Sequence, residues 1–255
     1  MEKSIVRLRQ VKKILDNLQN IWIVKKMIKA ISFDLDHTLY NRDATWEKIL
    51  PRFMTRFKKE LTEKLSSRQI LNALRTSDKN ATYNETSWKG MYEELIDEGI
   101  LKGRVQYEDF YNFIYLFFSP SIVLYPDTLI TLAWCKENGY RPSIITNGHV
   151  SLQKKKIECM GVKRIVEECL ICDLDNGKNC KPKKTPFLQM AQRLGLKPEE
   201  ILYVGDNPIN DISGARGAGM KTAWLNKMDN WLPFVAPADY EISSLWELQR
   251  ILKTQ

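Results

Sequence analysis

The chain has 255 residues, of which 44% are hydrophobic and 27% charged, with 12 glycines and 10 prolines. This balance is typical of a globular protein and excludes a collagen-like, mainly disordered or coiled-coil chain. The most apolar stretch, residues 113–118, is far shorter than the roughly 20 residues of a membrane-spanning helix, and no signal peptide is recognisable. We therefore expect a cytoplasmic protein that does not contact membranes.

The net charge of +8 is concentrated at the N-terminus. Residues 1–29 carry +6 of it, so the rest of the chain is nearly neutral. A basic arm can contact nucleic acid or an anionic membrane, but a solvated extension is the commoner case. We interpret residues 1–27 as a basic N-terminal extension and do not expect the protein to bind nucleic acid.

The five cysteines are predicted to be free thiols, because their number is odd and no secretory signal accompanies them. Cys169 and Cys172 have the spacing of a zinc knuckle, and Cys180 follows, but a zinc site usually has four ligands. The pair also lies in a predicted strand, where positions three apart face opposite sides. We predict no metal or redox role for these three residues.

The first predicted element is a short buried strand over residues 30–35. Residues 41–125 then show apolar residues at helical spacing, no convincing strand, and 14 of the 26 aromatic residues. The predicted helices cover residues 46–61, 66–75, 85–98 and 107–118, with Pro51 expected to start or kink the first. This part of the chain is predicted to be a helical insert with its own small core.

After residue 126 the predicted strands and helices alternate. The strands are predicted at 141–146, 168–172, 201–204, 221–225 and 240–242, and the helices at 127–138, 152–160, 185–194, 209–218 and from 245 onward. Alternation at this spacing indicates an α/β fold, in which helices cover both faces of a parallel sheet.

Polar residues follow four of the predicted strands. The first strand ends in Asp34-Leu35-Asp36-His37-Thr38 and the second in Thr146-Asn147-Gly148. The turn after the third carries Lys181-Pro182, and the fourth leads into Gly205-Asp206, with Asp211 five residues further on. Ligands of open parallel sheets bind beyond the carboxyl ends of the strands. We therefore expect these side chains to converge.

A set of carboxylates, a hydroxyl and an ammonium group suits phosphoryl transfer. Clustered carboxylates repel one another, and a divalent cation that prefers oxygen ligands, Mg²⁺, relieves the repulsion. The ion and the ammonium group of Lys181 would neutralise charge on the oxygens of the phosphoryl group. One carboxylate of the Asp34–Asp36 pair could attack phosphorus while the other protonates the leaving oxygen and later activates water.

These motifs resemble those of the haloacid dehalogenase (HAD) superfamily, in its phosphatase type. The family's hydrophobic-Asp-x-Asp-x-Thr motif is matched at residues 33–39, its Thr or Ser by Thr146, its Lys by Lys181, and its Gly-Asp-x-x-x-x-Asp motif at residues 205–211. The resemblance extends over about residues 28–250. Asp-x-Asp alone is a weak signal, whereas four motifs in order at predicted strand ends are specific.

The resemblance implies a Rossmann-like parallel-sheet core, formed by residues 28–40 and 125–255, with an all-helical cap inserted at 41–124. It implies that Asp34 is the nucleophile and Asp36 the general acid and base. By the same resemblance, Thr146, Asn147 and Lys181 would hold the phosphoryl group, and Asp34, the backbone carbonyl of Asp36, Asp206 and Asp211 would surround Mg²⁺. The family often continues Lys-Pro with Asp-Pro, which this chain lacks, so Lys181 is chosen over Lys183 and Lys184 because it precedes Pro182 and lies 24 residues before Gly205.

The expected function is Mg²⁺-dependent hydrolysis of a small-molecule phosphomonoester through an aspartyl-phosphate intermediate. The substrate would belong to the nucleotide, flavin mononucleotide or sugar phosphate class. Three alternatives stay open: a phosphomutase, a carbon–halogen hydrolase on the same fold, and a catalytically silent protein that binds through its basic extension. Asp36 argues against carbon–halogen hydrolysis, because that reaction needs no acid for the leaving group.

Overall fold

The computed structural model of the chain describes residues 28–83, 87–173, 179–227 and 231–253. The predicted N-terminal extension, residues 1–27, lies outside the described residues, as do residues 85 and 86 of the third predicted helix. Among the helices that are described, none is both long and apolar enough to cross a membrane.

Eight strands and nine α-helices are found in the described residues. The strands are β1 (Ala30–Phe33), β2 (Tyr40–Asn41), β3 (Val123–Leu124), β4 (Arg141–Asn147), β5 (Glu168–Cys172), β6 (Ile201–Gly205), β7 (Lys221–Leu225) and β8 (Tyr240–Ile242). The helices are α1 (Arg42–Arg56), α2 (Ser67–Tyr83), α3 (Ser87–Asp97), α4 (Tyr107–Phe113), α5 (Thr128–Glu137), α6 (Val150–Cys159), α7 (Lys184–Leu194), α8 (Gly214–Gly217) and α9 (Glu247–Lys253).

Six of the strands form one parallel sheet, as the alternating pattern predicted. Their order is β5-β4-β1-β6-β7-β8, and every neighbouring pair is parallel. From β1 the chain runs to β4 and β5 on one side of the sheet, and it continues from β6 to β8 on the other. A topological switch point therefore lies between β1 and β6, where ligands bind in sheets of this kind.

Helices cover both faces of this sheet. Along β6, Ile201 and Tyr203 belong to one buried cluster, whereas Leu202 and Val204 belong to another. Successive side chains of a strand point to opposite faces, so β6 contributes to both cores. The apolar residues of α7 pack in the first cluster and those of α5 and α6 in the second. The predicted α/β fold is confirmed.

Helices α1 to α4 form a helical insert (residues 42–121) between β2 and β3. These two short strands pair antiparallel, with Tyr40 opposite Leu124, so the two connections to the insert lie side by side. Buried aromatic rings fill the insert, but they belong to the same cluster as one face of the sheet. The insert therefore does not have the separate core that the sequence predicted.

The helix bounds in the insert differ from the prediction in several places: α1 ends at Arg56 instead of residue 61, and α4 passes into a π-helical turn, Ile114–Phe118. Helix α1 begins earlier, because the side chain of Asn41 accepts a hydrogen bond from the backbone N–H of Ala44 at 2.9 Å, and it continues through Pro51. Helix α2 continues to Tyr83 beyond the predicted end at residue 75. The added turns carry Asp78, a buried acid whose ion pair is described below.

The helix predicted at 209–218 begins instead as a π-helical turn. This turn, Pro208–Ser213, is capped by the side chain of Asn207, which accepts hydrogen bonds from the backbone N–H groups of Ile209 and Asn210. Helix α8 follows it directly. The turn carries Asp211 back towards the end of β6.

Candidate active site

Three carboxylates converge at the carboxyl edge of the sheet. Asp34 follows β1, and Asp206 and Asp211 follow the neighbouring strand β6. Each offers an oxygen atom, and these oxygens lie within 4.8 Å of one another. In the part of the chain that the structure describes, this is the one cluster of acids, histidines and cysteines close enough to hold a metal ion. The predicted convergence is therefore present.

Lys181 lies buried among these carboxylates. Its Nζ donates to Oδ1 of Asp34 at 2.5 Å, to Oδ1 of Asp211 at 2.6 Å and to the hydroxyl of Tyr203 at 3.0 Å. Burial alone would lower the pKa of Lys181, but the charges of Asp211 and Asp34 raise it well above its usual value. The side chain is therefore a permanent cation beside Asp34.

One ammonium group does not neutralise three carboxylates. Burial raises the pKa of Asp34 to about 7, opposed by Lys181 and reinforced by Asp211 and Asp36. Burial, together with Asp211 and Asp34, also raises the pKa of Asp206 well above its usual range. A divalent cation bound to these oxygens would remove the excess negative charge and favour the ionised carboxylates. The donor set, all oxygen, fits Mg²⁺.

Asp211 is held by contacts on both of its oxygens. Besides the Lys181 bond, Oδ1 accepts a hydrogen bond from the Tyr203 hydroxyl at 3.2 Å, and Oδ2 accepts one from the backbone N–H of Asn207 at 2.9 Å. The side chain packs so closely on Gly205 that a Cβ atom there would lie 2.4 Å from it. These contacts fix Asp211 against Lys181.

The carboxylate of Asp36 lies outside this cluster and has four other partners. Tyr40 and Arg42 donate short hydrogen bonds to its Oδ1, Lys156 donates to Oδ1 at 2.7 Å, and Gln153 donates to Oδ2 at 2.9 Å. Burial would raise the pKa of Asp36, but the positive charges of Lys156 and Arg42 outweigh it and hold the pKa well below its usual range. Asp36 is therefore ionised in this arrangement.

The two polar residues that end β4 are both engaged by neighbours. The hydroxyl of Thr146 accepts a hydrogen bond from Gln153 Nε2 at 2.6 Å. The same hydroxyl donates a hydrogen bond to the carbonyl of Asn147 at 3.3 Å, and a phosphoryl oxygen would have to replace that carbonyl as its acceptor. The amide of Asn147 donates to the carbonyl of Lys181 and accepts from its backbone N–H, both at 2.9 Å. The side chain of Asn147 therefore fixes the loop that carries Lys181.

A buried ion pair connects Asp36 to the helical insert. Nε and Nη2 of Arg42 each donate to one oxygen of Asp78 at 2.5 Å, and the indole N–H of Trp46 donates to Asp78 at 2.8 Å. The guanidinium lies over the ring of Trp88, 4.9 Å from its centroid. Arg42 therefore joins the acid of the first motif to helix α2.

The sequence analysis missed the partners that surround the predicted residues: Tyr40, Arg42, Asp78, Gln153, Lys156 and Tyr203. Gln153 and Lys156 are three residues apart on α6, so they share a face, and their position just after the Thr146 motif was a usable signal. Arg42 and Asp78 carried no comparable signal, because their pairing depends on how the insert folds.

A single cleft collects these groups. Its lining includes Asp34, Asp36, Lys181, Asp206 and Asp211 from the sheet edge, Gln153 and Lys156 from α6, and Arg42, Asp78, Ala81 and Trp88 from the insert. His149, at the start of α6, also lines it and is within hydrogen-bond distance of Tyr111 on α4, at 3.3 Å. The cleft thus lies between the sheet edge and the insert.

Comparison with known proteins agrees with this geometry. The family model of haloacid dehalogenase-like hydrolases matches residues 28–219. The glyceraldehyde 3-phosphate phosphatase of Methanopyrus kandleri is 30% identical over 207 residues, covering 79% of this chain and 85% of that protein. The enzyme of the same name from Pyrococcus furiosus is 28% identical and covers 90% of this chain and 95% of its own.

A solved structure shows the same architecture. The crystal structure of a HAD phosphatase from Thermococcus onnurineus matches with a TM-score of 0.63 and 26% identity, over 88% of this chain and 98% of that chain. The family match covers most of the chain, and the motifs that carry it meet at one sheet edge. The chain therefore belongs to the haloacid dehalogenase-like hydrolase family, as a phosphatase of that family.

Proposed function

We propose that the protein hydrolyses small phosphomonoesters of the sugar phosphate class with Mg²⁺, through a phosphorylated Asp34. The observation that carries the proposal is the convergence of Asp34, Asp206 and Asp211 on Lys181 at the sheet edge. The names of the two relatives from Methanopyrus kandleri and Pyrococcus furiosus support the substrate class and make glyceraldehyde 3-phosphate the first candidate.

The residues that would hold the metal ion follow from the donor set. Carboxylate oxygens of Asp34 and Asp206 and the backbone carbonyl of Asp36 would bind it, with Asp211 either in direct contact or linked through water. When bound, Mg²⁺ neutralises charge on the phosphoryl oxygens. Lys181, which is already a cation beside Asp34, supports the same oxygens from within the protein.

In the first step a carboxylate oxygen of Asp34 attacks phosphorus. A bond forms between that oxygen and phosphorus, and the bond from phosphorus to the leaving oxygen breaks. The carboxyl of Asp36 gives its proton to the leaving oxygen, so the leaving group departs as a neutral alcohol. Asp34 is left as an aspartyl phosphate and Asp36 as a carboxylate.

In the second step Asp36 takes a proton from water. The water oxygen bonds to phosphorus, and the bond from phosphorus to Asp34 breaks. Inorganic phosphate leaves, Asp34 is again a carboxylate, and Asp36 again carries its proton. One ester and one water thus become one alcohol and one phosphate.

The acid role requires Asp36 to be protonated, whereas its four partners keep it ionised in this arrangement. Some of these contacts must therefore loosen when substrate binds. We propose that residues 41–124 act as a cap over the cleft, because Asp78, Ala81 and Trp88 line it from that side. Cap movement would also exclude water from the reacting groups.

Release of inorganic phosphate from a panel of phosphorylated metabolites, with Mg²⁺ present, tests the proposal. We expect turnover of sugar phosphates by the wild type and loss of it in Asp34→Asn, because an amide cannot attack phosphorus. Activity of Asp34→Asn within tenfold of the wild type would refute the nucleophile assignment. Chloride release from a 2-haloacid, with no phosphate released from any ester, would favour carbon–halogen hydrolysis instead.

A further inference from the structure

The cleft contains a buried ion pair, Arg42–Asp78, that takes no part in the bond-making and bond-breaking steps of the proposed mechanism. We propose that Asp78 makes the enzyme select phosphate esters with an uncharged leaving group, by occupying the guanidinium of Arg42 that would otherwise bind an anionic one. This inference rests on the proposed phosphatase function and narrows its substrate class.

The charges that line the cleft leave no cation for a second anionic group. Apart from the two histidines, five carboxylates line it, from Asp34, Asp36, Asp78, Asp206 and Asp211, and three cations, from Arg42, Lys156 and Lys181. Each of these cations is in an ion pair with one or two of those carboxylates. A divalent ion balances the remaining excess of two negative charges. The phosphoryl group of any ester adds negative charge that its direct contacts with the ion and Lys181 must offset. A substrate carboxylate would add one more charge, and no cation of the described lining is left to pair with it.

Arg42 is the residue that would recognise such a carboxylate. A guanidinium presents parallel N–H groups that match the two oxygens of a carboxylate. In this cleft the parallel N–H groups of Arg42 are occupied by Asp78, which accepts hydrogen bonds from Nε and Nη2 at 2.5 Å each. Trp46 donates a further hydrogen bond to Asp78 at 2.8 Å and keeps it in place. Asp78 therefore occupies the position of a substrate carboxylate.

The Arg42–Asp78 pair also lies at the end of the cleft that the leaving group would occupy. Asp36 protonates the leaving oxygen in the proposed mechanism, so the leaving group must extend past it. Arg42 donates a hydrogen bond to Asp36 through Nη1 while Nε and Nη2 bind Asp78. Ala81, one turn beyond Asp78 on α2, lines the same side of the cleft. The leaving group would therefore meet the Arg42–Asp78 pair.

The test compares two esters that differ at one carbon atom. Glyceraldehyde 3-phosphate carries an aldehyde where 3-phosphoglycerate carries a carboxylate. For the wild type we expect kcat/KM to be at least about tenfold higher for the aldehyde, the effect of one unpaired charge in a desolvated site. In Asp78→Asn the amide no longer neutralises Arg42, and we expect this ratio to fall at least about tenfold.

The chain offers a matched control for this substitution. Asp109 forms a 3.1 Å ion pair with Arg56 on the surface of the same insert, where both side chains are about half exposed. Asp109→Asn removes the same charge from an Arg–Asp pair outside the cleft, so the ratio of the two esters should stay at the wild-type value. Circular dichroism and thermal melting check the fold of both variants, and Asp78→Ser replaces Asp78→Asn if the latter does not fold.

Two results would overturn the inference. The first is a wild type that hydrolyses both esters within a factor of three, and the second is a folded Asp78 variant with an unchanged ratio. If turnover is slow, the two esters are compared as competitive inhibitors of p-nitrophenyl phosphate hydrolysis, with the same expected ratios. A wild type that releases no phosphate even from p-nitrophenyl phosphate contradicts the proposed function itself, so the two failures are distinguishable.

Discussion

The substitution Gly205→Ala tests the packing that holds Asp211 against Lys181. A methyl group on Gly205 would lie 2.4 Å from Cγ and Oδ2 of Asp211, whereas ordinary contact begins at 3.4 Å. The Asp211 side chain would therefore have to move by about 1 Å, which breaks its 2.6 Å contact with Lys181. Displacements of this size at a catalytic site cost on the order of 100-fold in rate.

The same overlap should lower the stability of the fold. Overpacking of a buried site costs about 1–3 kcal/mol. In a chain of this length each kcal/mol lowers Tm by about 2–4 °C. We therefore expect Gly205→Ala to melt several degrees below the wild type and to lose about two orders of magnitude in kcat with p-nitrophenyl phosphate.

Gly217→Ala is the matched control for this substitution. A Cβ atom at Gly217 would have its nearest neighbour, Cε of Lys184, at 3.5 Å, which is an ordinary contact. Its kcat and Tm should therefore stay close to those of the wild type. A Gly205→Ala enzyme with wild-type Tm and kcat within threefold of the wild type would show that Asp211 need not be fixed for Lys181 to work.

Three further outcomes are expected. Asp36→Asn should lose far more activity on an alkyl phosphate than on p-nitrophenyl phosphate, because only the alkoxide needs a proton to leave; equal losses would contradict the acid role. Lys156→Met should lower the free energy of unfolding at pH 7 by about 2 kcal/mol relative to Lys154→Met, whose side chain is exposed on the same helix, because Asp36 loses one charged partner but keeps its others. The pKa of Asp36 is lower in the folded than in the unfolded protein, so its ion pairs contribute their full stability above about pH 4, and this contribution is lost as the pH falls. Chemical denaturation at several pH values should therefore show that the difference in unfolding free energy between Lys156→Met and Lys154→Met decreases at low pH. Removal of divalent cations with EDTA should abolish phosphate release without changing the circular dichroism spectrum, and added Mg²⁺ should restore phosphate release. Full activity in EDTA would exclude a role of a divalent cation in catalysis.

The sheet could be predicted from the sequence because each parallel strand is a short apolar run. The predicted strand at 168–172 coincides with β5, and the one at 201–204 misses only the last residue of β6. Strands β2 and β3 were missed because two residues each give no periodicity, and their pairing joins positions 82 and 84 residues apart. The end of α2 was missed because the polar run that contains Asp78 breaks the apolar pattern, although the Arg42 pair allows that acid to be buried.

The residues at the sheet edge were predictable for a different reason. Asp34, Asp206 and Lys181 follow strands or their turns, and adjacent parallel strands bring such positions together whatever their separation along the chain. The partners of Asp36 could not be found in this way. Lys156 is 120 residues away from it, and their contact depends on where α6 packs.

The partners of Asp36 form a buried chain of alternating charge from the sheet domain to the insert. Lys156 on α6 pairs with Asp36, Asp36 with Arg42, and Arg42 with Asp78 on α2. In the proposed mechanism Asp36 gains and loses a proton in each turnover, so its interactions with Lys156 and Arg42 would have to weaken and form again. Since Arg42 and Asp78 belong to the insert, the proton affinity of Asp36 depends on the position of the insert. Loss of the Asp78 charge would strengthen the interaction of Arg42 with Asp36 and slow the reaction of glyceraldehyde 3-phosphate and 3-phosphoglycerate alike, because both have an alkoxide leaving group. The ratio between two esters cancels this common effect, and it therefore isolates the contact with the leaving group.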